Sequence, residues 1–596
     1  MLRSCLTLGC VLAGVALADA PFRITAVDGA SGRGVPLVEL RTTDNVSYWT
    51  DSAGVIALDA PELMGRETWF EIHAHGYRYP ADGLGLVGVR LTPRPGEAAR
   101  VELERVNVAE RLYRVTGAGV YHHSRRLGDA VPLGRPALLA ELTGCDSVQA
   151  EVYRGRLTWV WGDANRLSYA LGNFKATGAR SWLPGAGGAD PALGVELEYF
   201  TRPDGFAREL CAFGGGEPGP VWLDGLVSVR DAAGREHLVA HFVRVKSLGE
   251  VYARGLARFD DASGTFKVWR ELPLDAPLAP RGHALRVSVD GVDYLYFADP
   301  LPDVRVRATL EALGDPAQYE GFSMLVPGAH DPAAPRFDRD PEGRLRLGWK
   351  RGAHPLRPAE QLPWVGKGLA AEEVFPRLRA PEQARLITPH RGSVQPDPGG
   401  GWTWIFTEAG GESSHLGEVW FARAPSPLGP WAFARKVVTH DRYSFYNPTQ
   451  HEYFSDERWL YFEGTYTTLF AGTERKTPRY DYNQILYRLD RRDPRLRLPV
   501  PCGGEGERAA AFAWSHPAPG TVPLALPGGR EAWGYPANAP PPFPGMRLLR
   551  VAPGSGQLQL APEEDPGPGC LGWAWAPPGR LAGAHVEPGR RPDGYH

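Results

Sequence analysis

A chain of 596 residues, 43% hydrophobic and 23% charged, has room for two or three folded domains and too much apolar content to be disordered. A formal net charge of −3 gives no basic field for a nucleic acid backbone or an anionic membrane surface, so neither is expected as a partner. The 72 glycines and 56 prolines, with 18 tryptophans, 22 tyrosines and 22 phenylalanines, favour many short strands joined by turns, and the fold class expected is all-β.

Residues 1–20 begin MLRSCLTLGCVLAGVALADA: an early arginine, an apolar run and the small residues Ala16 and Ala18 before a cleavage point. This pattern predicts a secretory signal peptide, and the run is too short to anchor in a membrane. An exported protein, secreted or periplasmic, is the expectation, acting as a monomer. Cys145, Cys211, Cys502 and Cys570 would then sit in an oxidising compartment, with Cys502–Cys570 the pairing expected.

Residues 21–105 alternate apolar and polar positions between turn signals at Gly32, Asp44-Asn45 and Asp51-Ser52-Ala53-Gly54, which predicts a β-sandwich of about seven short strands. The segments Asp28 to Pro36 and Thr50 to Gly54 resemble the opening and the T-D-x-x-G turn of carboxypeptidase-regulatory-like sandwiches. Asp51 and His73 there read as turn and strand-surface residues. An accessory or spacer role is the expectation for this unit.

From 106 to 495 a unit recurs in which a short segment and a polar turn lead to an aromatic strand: 144–163, 219–242, 282–300, 390–408 and 447–466. Each supplies two strands of a four-stranded blade, which predicts a β-propeller of five blades. The interval 300–390, with FDRDPEGRLRLGWK as a further hairpin, leaves six as the alternative and seven within reach. Residues 496–596 are a Pro/Gly-rich extension in which VPLAL and MRLLRVAP read as strands.

Propeller sites lie where the innermost strands converge. Residues at the starts of those strands should therefore be neighbours: Asp146, Trp222 with Asp224, His283, His390 with Arg391, and Asn447 with His451. Paired carboxylates in one cleft can divide acid and base roles in cleaving a glycosidic bond. Asp146 precedes the first inner strand; Asp163 follows the aromatic strand in WGDANR, where Asn165 and Arg166 are placed to orient a carboxylate or a sugar hydroxyl. Asp163 reads equally as a Gly-Asp turn residue. Glu408 and Glu463 end aromatic strands, where each either points into the cleft or pairs with a nearby arginine. Arg479, Tyr480, Asp481, Tyr482 and Asn483 either bind sugar, tyrosine faces stacking on the ring, or form the seam that closes the propeller.

The G-x-D-S of 144–147 with the W-G-D-x-N-R of 161–166 resembles the opening of a bacterial family of five-bladed propeller glycosidases that includes endo-D-arabinanases. Pro427-Leu428-Gly429-Pro430-Trp431 is similar to a G-P-W segment of the wider propeller glycosidase group. This resemblance implies glycoside hydrolysis by a catalytic pair at Asp146 and Asp163, with Glu408 and Glu463 as further acids. Ala164 departs from the family's usual threonine.

Two other functions fit the same architecture. A polysaccharide lyase would use a histidine or tyrosine base and an arginine against a uronate carboxylate, drawn from His283, His390, Arg391, His451 and Tyr482. A non-catalytic glycan-binding propeller would need none of the acids. No cofactor or metal is expected, although ligands taken from separate blades would leave no spacing to find. G-x-S-x-G, a glycine-rich phosphate loop and His-Glu-x-x-His are all absent from the sequence.

Overall fold

The computed structural model describes residues 20–498, apart from 135–137, 215–218, 329–330, 342, 344, 382–384, 425 and 430, and beyond 498 the backbone of several short strands. The leader, Pro430 and the pairing of Cys502 with Cys570 lie outside the described residues. Cys145 and Cys211 are buried and free.

The chain forms two compact units, the smaller built from residues up to Ala74, Tyr79–Glu104 and His123–Ala130. Two sheets make it. One is ordered Val55–Leu58, Phe22–Asp28, Ala98–Arg105, and the other Ser47–Trp49, Glu39–Thr42, Thr68–His73, Gly88–Leu91. Phe22, Ile24 and Ala26 point inward at every second position, as a strand with one buried face requires. Asp51 fixes a turn: Oδ1 accepts from the N–H of Ala53 and Val55, and Oδ2 from Ser124. His73 is exposed at a strand end.

The larger unit is a β-propeller whose sheets follow one another along the chain. The first blade is Val148–Tyr153, Arg156–Trp161, Thr177–Ser181 and Glu198–Tyr199; the second is Val221–Arg230, Glu236–Ser247, Glu250–Asp260 and Thr265–Leu272. The third runs from His283–Val289 and Val292–Ala298 through Val304–Arg307 and Glu320–Ser323 to Gly348–Arg351. Pro389–Pro396, Trp402–Glu408, Val419–Ala424 and Ala434–Val438 form the fourth. The fifth joins Ser444–Gln450, Trp459–Thr467 and Asn483–Asp490 to Glu110–Arg114 from the far end of the unit, so the circle is closed by two distant stretches of chain. Each innermost strand touches the next, and the fifth touches the first. The interval 300–390 therefore adds no blade: it widens the third, and FDRDPEGRLRLGWK contributes its edge strand Gly348–Arg351. His122 and His123 begin a short helix, His122–Arg126.

Burial on both faces explains the near-continuous apolar strands, since each blade is sandwiched between two others. Trp159 and Trp161 are fully buried with ring centroids 6.0 Å apart, packed with Tyr461 and Leu486 of the fifth blade. Trp404, Phe406 and Trp431 fill the junction with the third blade beside Tyr296. VPLAL and MRLLRV are strands, Val522–Leu526 and Met546–Val551. Among the described residues no helix is long and apolar enough to cross a membrane.

Candidate active site at the mouth of the ring

The first blade's opening hairpin pairs Val148 with Trp161, which returns the chain so that Asp163 meets Asp146, 17 positions earlier. The Asp146 N–H donates to the Asp163 carbonyl at 3.1 Å, and the Asp163 N–H donates to Asp146 Oδ1 at 2.7 Å. Both motif glycines are sterically required. A Cβ on Gly162 would lie 2.5 Å from Asp146 Oδ1, and one on Gly144 2.2 Å from the Tyr482 carbonyl. The Tyr446 hydroxyl from the fifth blade donates to Asp146 Oδ2 at 2.8 Å, and Tyr482 also hydrogen-bonds that carboxylate. Asp163 Oδ1 accepts from the Trp222 indole at 3.0 Å.

Burial raises the pKa of Asp146, opposed by hydrogen bonds from Tyr446, the Asp163 N–H, Tyr482 and its own N–H. Burial and then the nearby Asp146 charge push Asp163 up to about 7, against the pull of the Trp222 indole. No cation pairs with either acid among the described residues. Around them Ser147, Asn447 and Tyr482 hold φ of 46°, 50° and 59°, a left-handed conformation that costs a non-glycine residue about 1 kcal/mol. The Asn447 amide donates to Ser147 Oγ at 2.8 Å, so two of these positions brace each other.

The second, third and fourth blades supply a different cluster. Asp224 accepts from Gln149 Nε2 at 3.3 Å and from Arg391 Nη1 at 3.4 Å; Arg391 Nε lies 3.6 Å from Asp299 Oδ1. Burial raises Asp224, with Arg391 opposing. For Asp299 burial acts the same way, but Arg391, Arg281 and Arg357 together outweigh it and hold the carboxyl below its ordinary range. His283 shares a 3.0 Å hydrogen bond with Thr449 Oγ1. Burial, then Arg391, lowers His283 to about 3 and His390 to about 4, so both rings are neutral at pH 7.

The structure thus brings Asp146, Asp163, Trp222, Asp224, His283, His390, Arg391, Asn447 and Tyr482 to the mouth. The other sequence candidates lie elsewhere. Glu408 is fully buried and tied to Arg385 and to the Trp420 indole at 2.9 Å, which is the arginine-paired alternative. Glu463 and His451 are buried together in the seam beside Trp159, 3.4 Å apart, so neither opens to the mouth. Arg166 pairs with Glu141 at 2.8 Å, not with Asp146 or Asp163. Tyr480 is buried beneath the Arg114 guanidinium, and Asn483 bonds Thr116 and the Thr143 carbonyl; only Tyr482 of that cluster reaches the site, and Arg479 is exposed. The cluster is therefore seam and site at once.

Sequence reasoning passed over Tyr446, Gln149, Asp299 and Arg281. Asp299 carried a signal, since it ends the aromatic strand YLYFA as Asp163 follows WVW. Tyr446 stood one residue before the chosen Asn447.

No family model matches the chain, and no curated protein matches it. Among solved structures it is similar to a GH43_1 enzyme from Xanthomonas citri complexed with xylose, at 11% identity over 59% of this chain and 88% of that one, TM-score 0.30. It is similar also to a putative exo-β-1,3-galactanase from Bifidobacterium bifidum s17, at 10% identity over 63% and 92%, TM-score 0.31. An exo-1,5-α-L-arabinanase from a bovine ruminal metagenomic library matches at 9% identity over 58% and 93%, TM-score 0.30.

Proposed function

We propose that the chain is an exported glycoside hydrolase that cleaves a polysaccharide with Asp163 as general acid and Asp146 as the ionised partner. The observation that carries this reading is the cation-free aspartate pair at the mouth, in which Asp163 is pushed up to about 7. Two coupled carboxyls of this kind hold one proton between them near neutral pH. The proton resides on Asp163, because among the described residues Asp146 receives several hydrogen bonds and Asp163 only that of the Trp222 indole. Asp163 gives its proton to the departing glycosidic oxygen; Asp146 stabilises the positive charge that develops on the sugar.

Elimination is less well served. A base that removes a C–H proton beside a carboxylate must be basic near neutral pH, whereas His283 and His390 titrate at about 3 and about 4. Tyr482 is raised far above the ordinary tyrosine range by burial, and then by Asp146 and Asp163.

The test is incubation of the full chain with arabinans, xylans and uronate polysaccharides, reading reducing ends and ultraviolet absorbance together. Hydrolysis yields reducing ends without absorbance, and Asp146→Asn and Asp163→Asn abolish it. An unsaturated, absorbing product would replace this reading with elimination, and retention on a glycan without any product would replace it with a binding platform.

A further inference from the structure

The strongest unexplained feature lies on the arginine side of the mouth. Four guanidinium groups act on one another there, and three are engaged: Arg254 donates to the carbonyls of Pro273 and Ala276, Arg357 pairs with Glu360 at 3.2 Å, and Arg391 lies between Asp224 and Asp299. Arg281 sits just before the third blade's inner strand and is half-buried; among the described residues its side chain has neither a hydrogen bond nor an ion pair. Asp299 and Asp224 attract it only through space, and burial together with Arg357 makes its charge less favourable than usual.

A second, independent observation points the same way. His241 lies opposite Asp224 in the second blade and is 1% exposed, yet neither ring nitrogen has a partner among the described residues. The charges that act on it are those of Arg281, Arg254, Asp299 and Arg391. Buried polar groups are as a rule hydrogen-bonded, so an orphaned imidazole beside an unpaired guanidinium marks a place built for something else. A cation would be repelled by the arginines, and a neutral hydroxyl would leave the Arg281 guanidinium without a direct ion pair. An anion satisfies both groups.

Building on the reading of the mouth as a glycan site, we propose that Arg281 and His241 form a subsite for an acidic group, a carboxylate or a sulfate ester, carried by the bound polysaccharide. Arg281 supplies a charge-assisted contact and His241 a neutral donor behind it. The chain's net charge of −3 opposes general attraction to polyanions, so recognition is local to this subsite.

The test uses the full chain carrying Asp163→Asn, so that binding is read without turnover. It is run by affinity electrophoresis in gels containing polygalacturonate, carboxyl-reduced polygalacturonate, a sulfated galactan or the same galactan desulfated. One acidic polymer is expected to retard the protein about tenfold more strongly than its neutral counterpart. Arg281→Gln removes that difference and Arg281→Lys retains part of it, with melting curves of both variants confirming the fold. Retardation by polygalacturonate identifies the carboxylate, and retardation by the sulfated galactan the sulfate. Equal retardation by charged and neutral forms, no retardation by either acidic polymer, or an unchanged Arg281→Gln would overturn the subsite. Hydrolysis of neutral polymers would survive those results, so the two readings fail separately.

Discussion

Two pairs of aspartates stand at this mouth in comparable places. Asp146 and Asp224 belong to the innermost segments of the first and second blades; Asp163 and Asp299 follow the second strands of the first and third. Residue type and position are nearly matched, and the counter-charge is not. The first pair has hydroxyls, an indole and a backbone N–H, whereas the second has Arg391 between its members. Asp163 consequently rises to about 7 while Asp299 falls below its ordinary range. Without a cation an acid pair holds a proton it can give away; beside one, Asp299 is held as an anion even though burial still raises Asp224.

The comparison breaks if the two second-strand acids prove equivalent. Asp163→Asn should lower kcat by about 10³-fold, the scale of a lost general acid. Asp299→Asn should act chiefly on KM by loosening Arg391, and a loss of kcat as large as that of Asp163→Asn would overturn the division.

Stability should respond with opposite signs. A carboxyl raised in the folded state loses stability as pH climbs from its unfolded value, about 4, through about 7, so Asp163→Asn should melt higher than wild type at pH 8 and not at pH 4. A carboxyl lowered in the folded state stabilises above its unfolded pKa, and that contribution is lost as pH falls through the folded value. Asp299→Asn should therefore cost stability at pH 8. With Arg391 42% exposed, about 1–2 kcal/mol is the scale, below that of a fully buried pair.

The pH–rate profile sharpens the first pair. Activity should fall above about pH 7 as the acid deprotonates. Tyr446→Phe removes a donor that favours ionised Asp146, so the acidic limb should move to higher pH while the alkaline limb stays. An acidic limb that does not move would detach Tyr446 from the titration.

The ring was legible in the sequence because each blade repeats one aromatic pattern, and burial on two faces forces that pattern. The acids of the first blade were legible because two glycines and two aspartates mark a hairpin whose ends must meet. The distinction among acids was not. Glu408 and Glu463 end or lie within aromatic strands much as Asp163 and Asp299 follow them, but Arg385 and His451 meet them in the interior. Those partners are 23 positions away for Glu408 and just past the end of the neighbouring strand for Glu463, and the direction of a side chain across a blade depends on a register that no motif states. Arg281 was missed for the reverse reason: what sets it apart is that its side chain has no ion pair among the described residues.

The smallest effect expected concerns the cation-free side again. Phe470 is 51% exposed, its ring centroid 6.2 Å from that of Tyr446, the residue that holds Asp146, and Leu469 beside it is 49% exposed. Its φ is 60°, a conformation in which a bulky side chain is unfavourable by about 1 kcal/mol and glycine is not. An exposed ring held at a backbone cost beside the tyrosine that holds Asp146 is suited to stack on a sugar face. Phe470→Gly separates the two contributions, because it relieves the backbone while removing the ring. KM should rise by about five- to tenfold with kcat within about twofold, and the melting temperature should hold or increase. Leu84→Ala, 86% exposed in the smaller unit, should change neither. If Phe470→Gly left KM unaltered, the ring would be only an exposed turn residue, and recognition would rest on the arginine side alone.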